Sequence, residues 1–75
     1  MLDSKANQRQ VNGSHYKLPI EPWDYVIAND LGYLEGNIIK YISRYKKKNG
    51  LQDLQKALHY LEKLIEVQQG KGNNT

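Results

Sequence analysis

The sequence predicts an all-α fold, a small three-helix assembly with an extended N-terminal arm. Three stretches carry apolar residues at helical spacing, and no stretch alternates apolar and polar residues as a half-buried strand does. Two breaks that contain glycine, at residues 29–32 and 48–50, separate the three stretches. A chain of 75 residues forms one domain at most and buries a small core, so we expect a second subunit to reinforce it as a homodimer.

Composition sets the domain boundaries. Residues 1–14 are polar and residues 70–75 are rich in Gly and Asn, so both are predicted to be flexible tails around a single helical domain at residues 15–69. Residues 15–20 are predicted to form the arm, because Pro19 disfavours helical geometry at the residue before it. The chain shows neither a signal peptide nor an apolar run that could cross a bilayer, so we expect an intracellular protein without membrane contact.

The three helices are predicted from their ends. The first covers residues 21–29, with Pro22 at a first-turn position. Residues 29–32 end it, and Gly32 suits a left-handed capping position. The second runs from about residue 34 or 35 to Lys47, and the third follows the turn at residues 48–50. Gly36 lies in the first turn of the second helix, where it indicates either relaxed packing demands or the close approach of a ligand or a neighbouring backbone.

Apolar spacing predicts the core. Along the third helix, apolar residues recur at alternating intervals of three and four, which is the spacing of a coiled-coil seam. This stripe is broader than one partner helix needs, so part of it is predicted to pack against a second subunit. The predicted core residues are Trp23, Val26, Ile27, Ile38, Ile42, Leu54, Leu58, Leu61 and Ile65.

A row of polar and basic residues follows the second helix. Asn37, Lys40, Arg44 and Lys47 share one helix face at intervals of three and four. The net charge of +3 favours anionic partners without marking a protein that coats DNA. Lysines at the end of this helix also have a purely structural explanation, because cations complement the helix dipole there.

Other residues that could bind a ligand are aromatic or lie in the arm. The chain has six tyrosines, one tryptophan and no phenylalanine, a set that suits interfaces and sites for a base or a sugar. In the arm, His15, Tyr16 and Lys17 could contact a phosphate or a base, although an exposed loop histidine beside a packed tyrosine explains the same residues. On the third helix, His59 shares a mildly basic outer face with Lys56 and Lys63.

Known catalytic signatures do not occur in the chain. There is no cysteine, no phosphate-binding loop and no paired-histidine zinc motif. We therefore assign no catalytic residue, no cofactor and no metal site, and whether the protein is an enzyme stays open. Asp53, in the first turn of the third helix, is placed to pair with Arg44 or a neighbouring lysine and is interpreted as structural.

Four short motifs follow one another along the chain: HYK at 15–17, IEPWDY at 20–25, GNIIKYISRY at 36–45 and DLQKALHYL at 53–61. In this order they resemble the SaV-like family of small bacteriophage proteins, over about residues 11–65. One branch of that family includes a coliphage nucleotide kinase without the usual phosphate loop, and another includes a lactococcal phage protein that an abortive-infection system senses. The kinase is longer than this chain, so the resemblance implies nucleotide binding more directly than catalysis.

The resemblance implies which polar positions bind a ligand and where the protein acts. A phage protein of this kind would act in the host cytoplasm. The matching positions, with Tyr41 added because its ring could stack on a base, are His15, Tyr16, Lys17, Asn37, Lys40, Tyr41, Arg44 and Lys48.

Three functions remain open from the sequence. The first is binding of a nucleotide or another phosphorylated small molecule, as a minimal kinase or as a protein that sequesters the nucleotide. The second is a helical dimer that acts by contact with a host enzyme or defence factor. The third, nucleic-acid binding, is disfavoured because the net charge is only +3 and no helix-turn-helix pattern is present.

Overall fold

The computed structural model describes residues 18–72, which form three α-helices and one turn of 3-10 helix, with no strand among them. The helices are α1 (Pro22–Ala28), α2 (Tyr33–Arg44) and α3 (Leu51–Gly72), and the 3-10 turn (Tyr45–Lys47) continues α2. The all-α three-helix prediction is therefore confirmed. Residues 1–17, which include half of the predicted arm, and residues 73–75 lie outside the described residues. Helix α3 extends beyond the predicted domain boundary at residue 69.

The short α1 helix starts as predicted and ends differently. Glu21 is its N-cap and Pro22 its first residue, where a missing N–H costs nothing. At the other end, the N–H of Asp30 donates to the carbonyl of Ile27 (3.2 Å) and the N–H of Leu31 to that of Val26 (2.9 Å). These two bonds make a Schellman motif, whose left-handed residue is Asp30 at φ +55°.

The prediction of a left-handed Gly32 was therefore wrong. Gly32 has φ −93° and ψ −166° and is the extended N-cap of α2. Asp30 takes the left-handed position instead, which is physically reasonable because aspartate is one of the few side chains that tolerate it. At the predicted turn at residues 48–50, Gly50 takes the left-handed conformation, with φ +50°.

Helices α2 and α3 form an antiparallel hairpin, and α1 packs on α2. The residues of α3 that turn towards α2 recur every three or four positions: Asp53 and Ala57 are buried, and Tyr60 and Leu64 are half-buried. On α2, Gly36 lies under α1, where a Cβ atom would sit 3.6 Å from a methyl group of Val26. The neighbour of Gly36 is thus a side chain and not a backbone, and it leaves room for a methyl group.

The predicted core is largely wrong for a single chain. Ala57 is the only buried apolar side chain among the described residues, and Val26, Ile38 and Leu54 are half-buried. The other predicted core side chains are exposed: Trp23, Ile27, Ile42, Leu58, Leu61 and Ile65. The physical reason is that the residues on α3 that pack against α2 and the apolar seam occupy different faces of the same helix.

Replacement of Gly36 by alanine tests this packing. The added methyl group would lie at ordinary van der Waals distance from Val26, and alanine is a better helix former than glycine by up to about 1 kcal/mol. We expect Gly36→Ala to raise the free energy of unfolding by several tenths to about 1 kcal/mol, measured by urea denaturation. Gly50→Ala is the control and should lower it, because its φ of +50° strains an alanine. A loss of stability in Gly36→Ala would contradict this packing.

Candidate functional site

Basic and aromatic side chains converge on one face of the α2–α3 hairpin. Lys40 and Arg44 lie one turn apart on α2 and flank Tyr41, while α3 brings Lys56 and Tyr60 to the same ring. We call these five residues the cation–tyrosine cluster. They meet because the hairpin is antiparallel, so the last two turns of α2 lie beside the first turns of α3.

Three cations surround the half-buried ring of Tyr41. The Nζ atoms of Lys40 and Lys56 lie 5.3 and 5.4 Å from the ring centroid, and Cζ of Arg44 lies 4.8 Å from it. All three distances are within the range at which the negative face of an aromatic ring attracts a cation. The ring of Tyr41 therefore attracts three positively charged side chains to one place on the hairpin.

A second layer of tyrosines supports Tyr41. The ring of Tyr60 stacks on it, with centroids 5.9 Å apart and planes inclined by 20°. Tyr33 then meets Tyr60 edge to face, with centroids 6.2 Å apart. Hydrogen bonding with the Tyr33 hydroxyl is the main cause that raises the pKa of Tyr60 above its ordinary value of 10.0.

The Arg44 guanidinium is held by the carboxylate of Asp53. Nε donates to Oδ2 at 3.1 Å and a terminal nitrogen donates to Oδ1 at 3.2 Å, which makes a two-point contact. The Asp53 side chain has no solvent exposure, and it also accepts the backbone N–H of Asn49 at 3.2 Å. Hydrogen bonding by Arg44 is the main cause that lowers the pKa of Asp53 below its ordinary value of 3.8, against the opposing effect of burial.

The charge of the cluster follows from this pairing. Asp53 neutralises Arg44, whereas neither Lys40 nor Lys56 forms an ion pair with a carboxylate among residues 18–72. Lys63, by contrast, lies 3.8 Å from Glu66 on the exposed side of α3. Lys40 and Lys56 therefore leave two positive charges around one ring without a described counter-ion.

An apolar groove adjoins the cluster where α1 crosses α2. Its volume is about 580 Å³, and its walls include Trp23 and Val26 from α1 and Tyr33 and Gly36 from α2. Trp23 and Tyr33 are 51% and 75% exposed, so both present aromatic surface to solvent. Lys40 lines the groove and also contacts Tyr41, which makes the groove and the cluster one continuous surface.

The structure brings together some of the predicted site residues. Lys40, Tyr41 and Arg44 meet in the cluster. Asn37 lines the groove, but its side-chain amide donates to the carbonyl of Tyr33 one turn earlier, at 2.9 Å. Lys48 is exposed in the turn before α3 and does not line the groove. The remaining predicted residues, His15, Tyr16 and Lys17, lie outside the described residues.

Sequence reasoning missed Lys56, Tyr60 and Trp23 as site residues. The pairing of Arg44 with Asp53 was considered from the sequence, and it fixes the register of the hairpin. That register places Lys56, three residues after Asp53, next to Tyr41. Trp23 gave no separate signal, because an aromatic residue at helical spacing is typical of a core position.

Other kinds of site are less well supported within residues 18–72. No three histidine, aspartate or glutamate side chains there come together as a metal site. None of the helices in this part of the chain has the length and apolar character that a membrane span needs. The cation–tyrosine cluster and its groove are therefore the candidate site.

Comparison with known proteins places the chain in a family. The model of a family described as "Protein of unknown function (DUF3310)" matches residues 11–62, and the chain belongs to that family. The match covers α1, α2 and the first half of α3, and hence the whole cluster and groove. No curated protein and no solved structure matches the chain. The SaV-like resemblance stays a prediction.

The Arg44–Asp53 pair gives a pH-dependent contribution to stability. The Asp53 pKa is lower in the folded protein than its ordinary 3.8, so the pair stabilises the fold above that value and stops doing so as the pH falls through the lower, folded-state pKa. We expect Asp53→Asn to lower the Tm strongly at neutral pH, and the difference from the parent to shrink below about pH 3.8.

Circular dichroism melts of both proteins between neutral and strongly acidic pH check this expectation. Glu66→Gln is the matched control, because it removes an exposed carboxylate whose nearest cation, Lys63, lies 3.8 Å away. A Tm difference for Asp53→Asn that stays constant down to the lowest pH would contradict the role given to the pair.

Proposed function

We propose that this member of the DUF3310 family binds a nucleotide or a related phosphorylated small molecule at the cation–tyrosine cluster and its groove. The observation that carries the proposal is the convergence of Lys40 and Lys56 on one ring without a described carboxylate to neutralise them. An anionic group bound between the two ammonium groups would relieve their mutual repulsion. Phosphate fits best, because its oxygens accept hydrogen bonds from several donors at once.

The geometry gives Lys40 and Lys56 the freedom that phosphate binding needs. Each ammonium group ends a flexible four-carbon stem and can turn from the ring of Tyr41 towards a ligand without a backbone change. Both lie within 5.4 Å of the same centroid, so the two ammonium groups are less than about 11 Å apart. We propose that they turn towards each other to hold one phosphate or two adjacent phosphates. A tyrosine is neutral at physiological pH, so Tyr60 adds no negative charge that would repel the ligand.

The groove supports a ligand with a planar ring. Its volume of about 580 Å³ falls in the usual range for small-molecule sites. Trp23 and Tyr33 line it with exposed ring surface, and aromatic side chains stack on nucleic-acid bases with little regard to base identity. Because Lys40 borders both parts, a nucleotide could place its base in the groove and its phosphate at the lysines.

Arg44 takes a different role from the one the sequence suggested. Its guanidinium makes two hydrogen bonds to Asp53, and releasing it for a phosphate would leave a buried carboxylate without its partner. We therefore propose that Arg44 positions Tyr41 and the start of α3, and that the lysines bind the phosphate. We assign no reaction to the site.

On the SaV-like resemblance alone, we also propose that the protein is a phage accessory protein acting in the host cytoplasm.

Calorimetric titration tests the proposal. The full chain is titrated with deoxynucleoside monophosphates, triphosphates and cyclic dinucleotides, beside Lys40→Ala and Lys56→Ala. A charged hydrogen bond contributes roughly 1.5–3 kcal/mol, so we expect each substitution to raise the Kd by about ten-fold or more. Trp23→Ala should weaken the binding of nucleotides more than the binding of inorganic pyrophosphate, because only nucleotides carry a base for the groove.

Lys71→Ala is the control, because Lys71 is an exposed lysine in the last turn of α3, about 22 Å along the helix from Lys56. Its Kd should equal that of the parent. Absence of heat with every ligand at millimolar concentration would refute nucleotide binding. Affinity for DNA or RNA that falls steeply with salt, without affinity for mononucleotides, would favour nucleic-acid binding instead.

A further inference from the structure

A single chain leaves an unusual amount of apolar surface uncovered. Ala57 is the only buried apolar side chain among residues 18–72, whereas eleven large hydrophobic side chains there are exposed. Scattered exposed hydrophobic residues are normal on a protein surface. The informative question is therefore whether these residues form one continuous face.

On α3, four of the exposed hydrophobic residues form one continuous face. Leu51, Leu58, Leu61 and Ile65 are 40% to 68% exposed and recur at intervals of seven, three and four. Each residue turns the helix by about 100°, so the mean direction of these four side chains lies roughly a third of a turn from the side of α3 that packs on α2. We call these four residues the seam. The seam runs about 21 Å along the helix.

On α2, Ile42 continues this seam. It is 48% exposed and lies on the opposite side of α2 from Lys40. Two antiparallel helices touch along one line of contact. Residues that are rotated away from this line in the same direction, counted from the N- to the C-terminus of each helix, lie on the same side of the pair. The hairpin therefore has a basic face, which carries the cluster, and an apolar face formed by Ile42, Leu51, Leu58, Leu61 and Ile65.

We propose that a second copy of this chain covers the apolar face, so that two hairpins form a four-helix bundle. The seam has the spacing of residues that meet in the core of such bundles, and a two-fold axis would bring each seam against its own copy. Residues 1–17 supply only Leu2 and Val11 as branched aliphatic side chains, too few to cover five. A second copy supplies five of its own.

Charges beside the apolar face favour one orientation of the two copies. Lys46 lies at the turn end of the hairpin, and Glu35 and Glu62 lie towards its open end. If the two hairpins run antiparallel, the turn end of each copy meets the open end of the other. Lys46 would then face carboxylates of its partner, whereas a parallel arrangement would place like charges together.

The dimer leaves the candidate ligand site of each copy accessible. The cluster lies on the other side of the hairpin from the seam, so each basic face would point outwards in the dimer. Dimerisation therefore does not depend on the proposed ligand, and either proposal can fail without the other.

Sedimentation equilibrium of the full chain without ligand tests the dimer, together with melts at several concentrations. We expect a mass of twice 8.7 kDa and a Tm that rises with protein concentration. Leu58→Lys should abolish the dimer mass and lower the Tm, whether the separated chain stays folded or unfolds. His59→Lys, its neighbour on the exposed outer side of α3, should keep the dimer mass.

Three results would overturn the proposal. One is a parent mass of 8.7 kDa with a Tm independent of concentration, which would leave the face to residues 1–17 or to another protein. The second is a Leu58→Lys variant that keeps the dimer mass and the parent's Tm. The third is a larger assembly that persists when Leu58 is replaced.

Discussion

The pairing of Arg44 with Asp53 is the interaction on which the rest of the described structure depends. It joins the last residue of α2 to the first turn of α3, and Asp53 also binds the N–H of Asn49 in the turn between them. One buried carboxylate thereby closes the hairpin, fixes its register and holds a guanidinium 4.8 Å from the centre of Tyr41. Because a buried charge without its partner is costly, this contact permits few other arrangements of the two helices.

That register divides the hairpin into two faces with different chemistry. On one side, Lys40 and Lys56 lie around Tyr41 beside an aromatic-lined groove, a combination suited to a ligand with a phosphate and a ring. On the other side, the seam around Leu58 is apolar and uncovered. A chain of this size has a small interior, which is why we propose a ligand for one side and a second copy for the other.

The sequence was sufficient to predict the helices and their order, because proline at a first turn, glycine in a turn and helical spacing are local signals. It was not sufficient to predict which apolar residues are buried, since Leu58 and Ala57 belong to adjoining faces of one helix and only tertiary contact distinguishes them. For the site, Lys40, Tyr41 and Arg44 were predicted from one helix. Lys56 was not, because its place beside Tyr41 depends on the register set by Asp53 from the other helix.

The most direct test of the two-faced hairpin is a ¹H–¹⁵N correlation spectrum of the labelled protein, recorded while a deoxynucleotide is added. We expect the largest shifts at Lys40, Tyr41 and Lys56, an Arg44 Nε–H that stays protected in its bond to Asp53, and unchanged amides at Leu58 and Ile65. Shifts concentrated on the apolar face, or an Arg44 Nε–H released by the ligand, would contradict the division of roles between the two faces.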